Sequence, residues 1–230
     1  MTQVSRRHLL AGAAGAAAVY GAATAHAATT SDLNICAAPK FDESFDLVVI
    51  GSGGAGLSSA VMAKQQGVKR ILVLEKMAFL GGNTAISGGG FNSYDPPRQQ
   101  AQGIKDSPEL HFENTYDGGD RRANPELVHA MTENSYAAIQ WLESIGMKFK
   151  PNVYQIYGGL YPRCHAPYGS LGSDYIKVLK AQCDKLGIEI RTNSRVVRVL
   201  RESPLEGKVT GVEYVDKSGK KHVIEATLSS

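Results

Sequence analysis

The residues of this 230-residue sequence best suited to chemistry lie in Gly51-Ser52-Gly53-Gly54-Ala55-Gly56, followed later by Glu75. The glycines form a G-x-G-x-x-G directly after the apolar run Phe45-Asp46-Leu47-Val48-Val49-Ile50. A helical pattern follows to about Gln66, and Arg70-Ile71-Leu72-Val73-Leu74-Glu75 has the pattern of a second strand ending in an acid. A β-α-β unit with this punctuation cradles a dinucleotide. Gly51 permits the tight turn, Gly53 lets the backbone approach a pyrophosphate, and Gly56 lets the helix pack close to the sheet. The helix start offers free N–H groups and a partial positive charge to phosphates. Glu75 can accept hydrogen bonds from a ribose 2′-hydroxyl and would repel a 2′-phosphate, which argues against NADP. A tight structural turn is the competing reading of the glycines alone. Strand, helix, strand and acid at the expected spacing favour the nucleotide.

A second glycine-rich stretch, Met77 to Asn92, carries Gly81, Gly82, Gly88, Gly89 and Gly90. It begins where the chain returns from Glu75 towards the cofactor. Glycines there let backbone pass against a flat ring system, and Asn83, Thr84 and Ser87 add short polar groups. A flexible loop is the bland alternative.

Glu75-Lys76, Gly81-Gly82-Asn83-Thr84 and Gly89-Gly90-x-Asn92 together resemble the flavoprotein subunit family of fumarate reductases and succinate dehydrogenases. The soluble periplasmic branch, with flavocytochrome c fumarate reductases and urocanate reductases, is most similar. The resemblance continues through Asp106-Ser107-Pro108-Glu109-Leu110 and Arg163-Cys164-His165-Ala166-Pro167 and spans about residues 44–228. It implies FAD held by Gly51, Gly53, Gly54, Ala55, Gly56, Glu75, Lys76, Gly82, Asn83, Thr84, Gly89 and Gly90, with Val197 donating backbone bonds to the adenine. Membrane-bound members carry the flavin covalently on a histidine. Asn83 stands at that place here and has no suitable nucleophile, so non-covalent FAD is expected. The family places the segment 148–173 close to flavin and substrate, making Gly89, Arg163 and His165 candidates for contact with an anionic substrate. A structural histidine bonding backbone is the alternative for His165.

These groups must be positioned by an α/β fold, expected to be a Rossmann-like FAD-binding domain with an inserted small antiparallel β-meander. Residues 93–104 have the character of a polar connection. Ser107-Pro108 starts a helix that Gly118 closes, and Asn124-Pro125-Glu126 starts another that ends at Gly146. His111 and His129 fall within these helices as surface or helix-facing residues, and Trp141 as a core anchor. Residues 148–173 show no clear period. A helix from Ser173 to Leu186 ends at Gly187, followed by strands at 188–191 and 196–200 and a hairpin of 209–215 with 222–226. Lys217, Lys220 and Lys221 form a solvated turn.

Residues 1–27 have the pattern of a signal peptide. Ser5-Arg6-Arg7-His8-Leu9-Leu10 is a twin-arginine motif, an Ala/Gly-rich stretch follows, and Ala25-His26-Ala27 offers a cleavage site. That route exports folded proteins already loaded with cofactor, so a periplasmic location without a membrane anchor is expected. Residues 28–43 form a linker and 44–230 the N-terminal part of the FAD domain. A net charge of +3 is too small to suggest nucleic acid. Cys36, Cys164 and Cys183 make no C-x-x-C, so no metal or haem site is visible. Cys183 is expected to be a small packing residue.

After Thr227-Leu228-Ser229-Ser230 the family continues into an Ala-Thr-Gly-Gly turn, a capping domain and the second half of the FAD domain. Its catalytic arginine and substrate clamp lie there, so no catalytic residue is assigned in this chain. The expected function is hydride transfer between flavin and the C=C bond of an unsaturated carboxylate, with electrons from a cytochrome c domain or protein. The alternatives are a non-catalytic FAD-binding fragment and a flavin dehydrogenase of the same superfamily, such as a ketosteroid dehydrogenase. By itself the chain is expected to be marginally stable and to hold FAD weakly.

Overall fold

The computed structural model describes residues 40–169, 171–203 and 206–228. The twin-arginine stretch, the cleavage site, Cys36 and most of the linker lie outside the described residues. The first strands are β1 (Glu43–Phe45) and β2 (Leu47–Ile50), followed by α1 (Gly54–Gln65) and β3 (Ile71–Leu74). The apolar run 45–50 is therefore not one strand. The Asp46 carboxylate accepts the N–H groups of Lys69 and Arg70 at 3.1 and 2.9 Å. The strand divides at this residue, with β1 in one sheet and β2 in another.

The Gly-rich stretch contains a short helix, α2 (Gly82–Ile86), and a two-residue strand, β4 (Phe91–Asn92). The polar connection 93–104 contains α3 (Pro96–Ala101), whose N-cap Asp95 accepts the Arg98 N–H at 3.1 Å. Asp95-Pro96 is the same N-cap-plus-proline signal as Ser107-Pro108 and could have been recognised. Next come α4 (Pro108–Gly118) and α5 (Pro125–Ser144), capped as expected by Ser107 and Asn124. Val128, Thr132, Ser135, Ile139 and Leu142 make the buried stripe of α5 at helical spacing. The aperiodic segment holds β5 (Cys164–His165), paired antiparallel to β4. Two residues of strand have no period to detect, and their partner lies some seventy positions earlier in the chain.

Then α6 (Ser173–Leu186) ends at Gly187 in the left-handed region (φ 66°). It is followed by β6 (Glu189–Arg191), β7 (Arg195–Arg201), β8 (Val209–Val215) and β9 (Lys221–Ala226). The parallel sheet has order β2-β3-β6, and the second sheet order β1-β9-β8-β7. The expected meander is present, and β1 adds to it in parallel, so the sheet is mixed.

Strand β3 explains the layering. All four residues are buried, as in a parallel strand covered on both faces. Ile71 and Val73 pack with Leu57 and Val61 of α1, Ile139 of α5 and Leu179 and Cys183 of α6. Leu72 and Leu74 pack with Phe45, Val212, Tyr214 and Ile224 of the mixed sheet. Cys183 is fully buried, and Cys164 and Cys183 are both free thiols. Trp141 sits at the rim of the helical core, its indole N–H bonded to Gln65 Oε1 at 3.0 Å.

Arg191 ties the two sheets together. Its guanidinium donates to both oxygens of Glu43 on β1 at 2.8 and 2.7 Å, to Glu189 at 2.8 Å and to the Tyr214 hydroxyl at 3.1 Å. Replacing it by methionine leaves Glu43 unpaired and should lower unfolding stability in urea by about 1–2 kcal/mol. An unchanged urea midpoint would show that the sheets do not depend on this link.

Candidate cofactor site

Three chain segments meet at the ends of β2 and β3. The Glu75 carboxylate gathers them. Its Oε2 accepts the Ser52 N–H at 2.9 Å and the Ser52 hydroxyl at 2.6 Å, and Oε1 accepts the Met77 N–H at 2.9 Å. The Ser52 hydroxyl in turn receives the Gly81 N–H at 3.2 Å. Burial pushes the Glu75 carboxyl up, but the bonds from Ser52 and Met77, with Lys76 adjacent, outweigh it and leave the group below its usual range. Glu75 is thus ionised, and Oε1 keeps a lone pair for a ribose hydroxyl. Lys76 itself is exposed.

The glycines divide by what crowds them. Gly51 has φ 96°, which favours glycine at the turn. A Cβ on Gly56 would lie 2.1 Å from the Gly51 carbonyl oxygen, so α1 approaches the strand end as closely as backbone allows. A Cβ on Gly53 would meet no protein atom closer than 3.8 Å, and its backbone is ordinary extended. The protein leaves room there that no side chain fills. Helix α1 has no side-chain cap and no acid in its first turn, and Ala55 is exposed there. Gly54 donates its N–H to Thr84 Oγ1 at 3.1 Å. An open, uncapped helix start of this kind suits a diphosphate.

A cavity of about 530 Å³ opens beside it. Its lining includes Gly54 and Ala55, Asn83 and Thr84 of α2, Ser87, Gly89 and Gly90, with Phe91, Leu142, Tyr175 and Leu179 as the apolar wall. Gly82 opens α2 at φ 47°. The sequence singled out Gly54, Ala55, Asn83, Thr84, Ser87, Gly89 and Gly90 of this lining but not Ser58. The apolar wall comes from Phe91 of β4, from Leu142 of α5, which showed only as part of a packing stripe, and from Tyr175 and Leu179 of α6, which the sequence did not single out. Ser52 was equally hidden, although its place between two glycines was a usable signal.

Val197 lies on β7 at 49% exposure. The β7–β8 register pairs Val196 with Tyr214 and Arg198 with Glu213, so Val197 is the extra residue of a bulge. Its backbone is left out of the ladder. The segment is anchored beside Glu75, whose carbonyl accepts the Ser194 N–H at 2.8 Å.

Arg163 and His165 are brought together, but inside the protein and outside the cavity lining, at 3% and 0% exposure. Arg163 makes a two-pronged pair with Asp106 at 2.7 and 2.5 Å, bonds Asn114 at 2.9 Å and lies over the Tyr161 ring. His165 bonds Asp95 through Nε2 at 2.9 Å and the Arg163 carbonyl through Nδ1 at 2.9 Å. Asp95 also pairs with Arg98, which reaches Glu143. Both side chains thereby fix the β4–β5 ribbon that carries Phe91. His129 is exposed, whereas His111 is buried at 4% and its Nδ1 has no hydrogen-bond partner among the described residues. Helical periodicity alone did not reveal that burial, because the cover comes from non-local chain.

The family described as FAD binding domain, FAD_binding_2, matches residues 46–228. The chain belongs to this family. FAD is therefore the dinucleotide, and the unfilled cradle at Gly53, the uncapped α1 and the cavity beside them fit it. Among relatives of this FAD-binding domain, a fumarate reductase (cytochrome) of Shewanella frigidimarina is 36% identical over 74% of this chain and 29% of its own length. The acrylate reductase flavoprotein subunit of Shewanella woodyi is 31% identical over 94% of this chain and 43% of its own. The open conformation of a flavocytochrome c3 fumarate reductase superposes with a TM-score of 0.75 at 31% identity, covering 81% of this chain and 33% of that one. The chain thus spans about three to four tenths of the length of these relatives.

Two outcomes follow from the geometry. Gly53→Ala should leave stability within about 0.5 kcal/mol yet weaken FAD binding, while Gly56→Ala should cost about 1–3 kcal/mol of stability. Equal stability losses in the two variants, read by thermal melting and FAD titration, would contradict the division. For His111, burial and then the Arg163 charge push the imidazole down to about 4, with Asp106 opposing. The unfolded chain takes up this proton near its ordinary pKa of about 6.5, and the folded chain only near 4. The stability that rests on a neutral His111 should therefore be intact above about pH 6.5 and be lost, by up to about 3 kcal/mol, as pH drops towards 4. His111→Phe should flatten that part of the urea-midpoint-versus-pH curve.

Proposed function

We propose that this chain holds FAD non-covalently and forms the flavin-binding part of an exported reductase acting on the C=C bond of a small unsaturated carboxylate. The observation that carries it is the open cradle of Gly51–Gly56 beside a cavity walled on one side by apolar residues, in a chain whose relatives are fumarate and acrylate reductases. Bound FAD supplies the redox chemistry. The protein's part is binding and orientation. The α1 start and Gly53 would hold the pyrophosphate, Glu75 a ribose hydroxyl, and the Val197 bulge the adenine through its backbone. Asn83, Thr84 and Ser87 offer polar groups to the rest of the nucleotide. Phe91, Leu142 and Leu179 exclude water from the apolar wall.

Gly89 and Gly90 would pass their backbone beside flavin and substrate. Arg163 and His165 would act on this site by holding the β4–β5 ribbon; direct contact with an anionic substrate, their other proposed role, would need the bonds to Asp106 and Asp95 to open. No residue of this chain is assigned as the acid that protonates the substrate. Asn83 and the other cavity-lining residues include no histidine or cysteine, which supports non-covalent attachment. The twin-arginine motif and Ala25-His26-Ala27 support export to the periplasm, with electrons from a cytochrome c domain or protein. Among the described residues no helix is long and apolar enough to cross a membrane.

Acid precipitation of the FAD-loaded protein should release all the flavin into the supernatant, whereas flavin remaining with the pellet would contradict non-covalent binding. The protein isolated from its native cells should oxidise a reduced viologen dye with fumarate, acrylate or urocanate. Failure with all three would remove the reductase reading and leave FAD binding standing.

A further inference from the structure

Gly89 is buried and Gly90 exposed, and both line the FAD cavity. The loop is pressed from the protein side. A Cβ on Gly89 would lie 2.7 Å from the Leu171 carbonyl carbon, and one on Gly90 2.7 Å from Cys164 Sγ. The Gly172 N–H donates to the Ser87 carbonyl at 2.9 Å, joining the start of α6 to the same loop. In the first turn of α6, the Tyr175 hydroxyl donates to the Gly89 carbonyl at 2.8 Å in a buried bond. Burial, with Cys164 nearby, pushes this phenol well above its usual range, so it remains a donor.

A trans peptide points its C=O and N–H in opposite directions. The Gly89 carbonyl and the Gly90 N–H belong to one peptide unit. With the carbonyl held by Tyr175, the Gly90 N–H is directed away from that bond. We infer that Tyr175 is a positioning residue that orients the Gly89–Gly90 peptide so that the Gly90 N–H is presented to the bound FAD. Glycine at 89 has φ 73° and an unusually free backbone, so the peptide has alternatives that the bond excludes. Position 175 thus sets a hydrogen bond to the cofactor without touching the nucleotide-binding glycines at 51–56. The inference rests on the FAD reading above.

The test compares wild type, Tyr175→Phe and Cys183→Ala, the last removing a buried group on the same helix that does not line the cavity. In wild type, FAD should slow amide hydrogen exchange at Gly90 at least tenfold. Tyr175→Phe should shift the visible absorption of bound FAD, weaken its binding about tenfold and speed Gly90 exchange in the FAD-free protein. Cys183→Ala should lower the melting temperature and leave absorption and affinity as in wild type. Absence of FAD uptake by wild type would overturn the FAD reading and this inference together. Uptake with Gly90 exchange unchanged, or a Tyr175→Phe variant that differs only in melting temperature, would overturn the inference alone. Where Tyr175→Phe does not fold, wild-type Gly90 exchange left unchanged by FAD still overturns the inference.

Discussion

A single buried carboxylate organises the site. Glu75 ends β3 and accepts two donors from Ser52 and one from Met77, and Ser52 passes the connection on to Gly81. Removing a carboxylate from water is costly unless its lone pairs are occupied. Here the donors are backbone N–H groups and a hydroxyl from the loops that must surround a dinucleotide. The requirement to satisfy the charge therefore fixes the distance between the first and second glycine-rich stretches. Glu75 is the knot that joins the two loops, and the ribose acceptor proposed above.

The rest of the fold delivers that knot. Strand β3 is covered by helices on one face and by the mixed sheet on the other. Its end can then project into a crevice formed by both layers, the usual place for ligands in open α/β sheets. Asp46 lets the chain leave one sheet and enter the other within one residue, and Arg191 bonds across the two. The Glu75 backbone is held by the segment 191–194, its N–H donating to the Arg191 carbonyl and its carbonyl accepting the Ser194 N–H.

The glycines show how one residue type answers different constraints. Gly56 is required by protein sterics, because α1 rests on the Gly51 carbonyl. Gly53 meets no such crowding, so its lack of a side chain leaves open space, where the proposed site would seat the pyrophosphate. Gly89 is crowded by the Leu171–Gly172 backbone just ahead of α6 and Gly90 by Cys164 of β5, and both line the cavity. A pattern of glycines in sequence does not separate these cases, because the crowding atoms belong to other segments.

What the sequence by itself determined was the local grammar. The G-x-G-x-x-G, the acid closing β3, the caps at Ser107 and Asn124 and the hairpin around Asp216 each depend on residues close in the chain. Their backbone preferences act wherever they are placed, so they were legible, and the family pattern added the FAD reading. Only the tertiary structure decided that the run 45–50 splits at Asp46 and that β4 pairs with β5. It also decided that His111 is buried, that Arg163 and His165 are held by Asp106 and Asp95, and that Tyr175 reaches the Gly89 carbonyl. Each of these depends on contacts between segments far apart in sequence. Burial and hydrogen-bond satisfaction are properties of such contacts, and no local period or propensity encodes which partner will supply them.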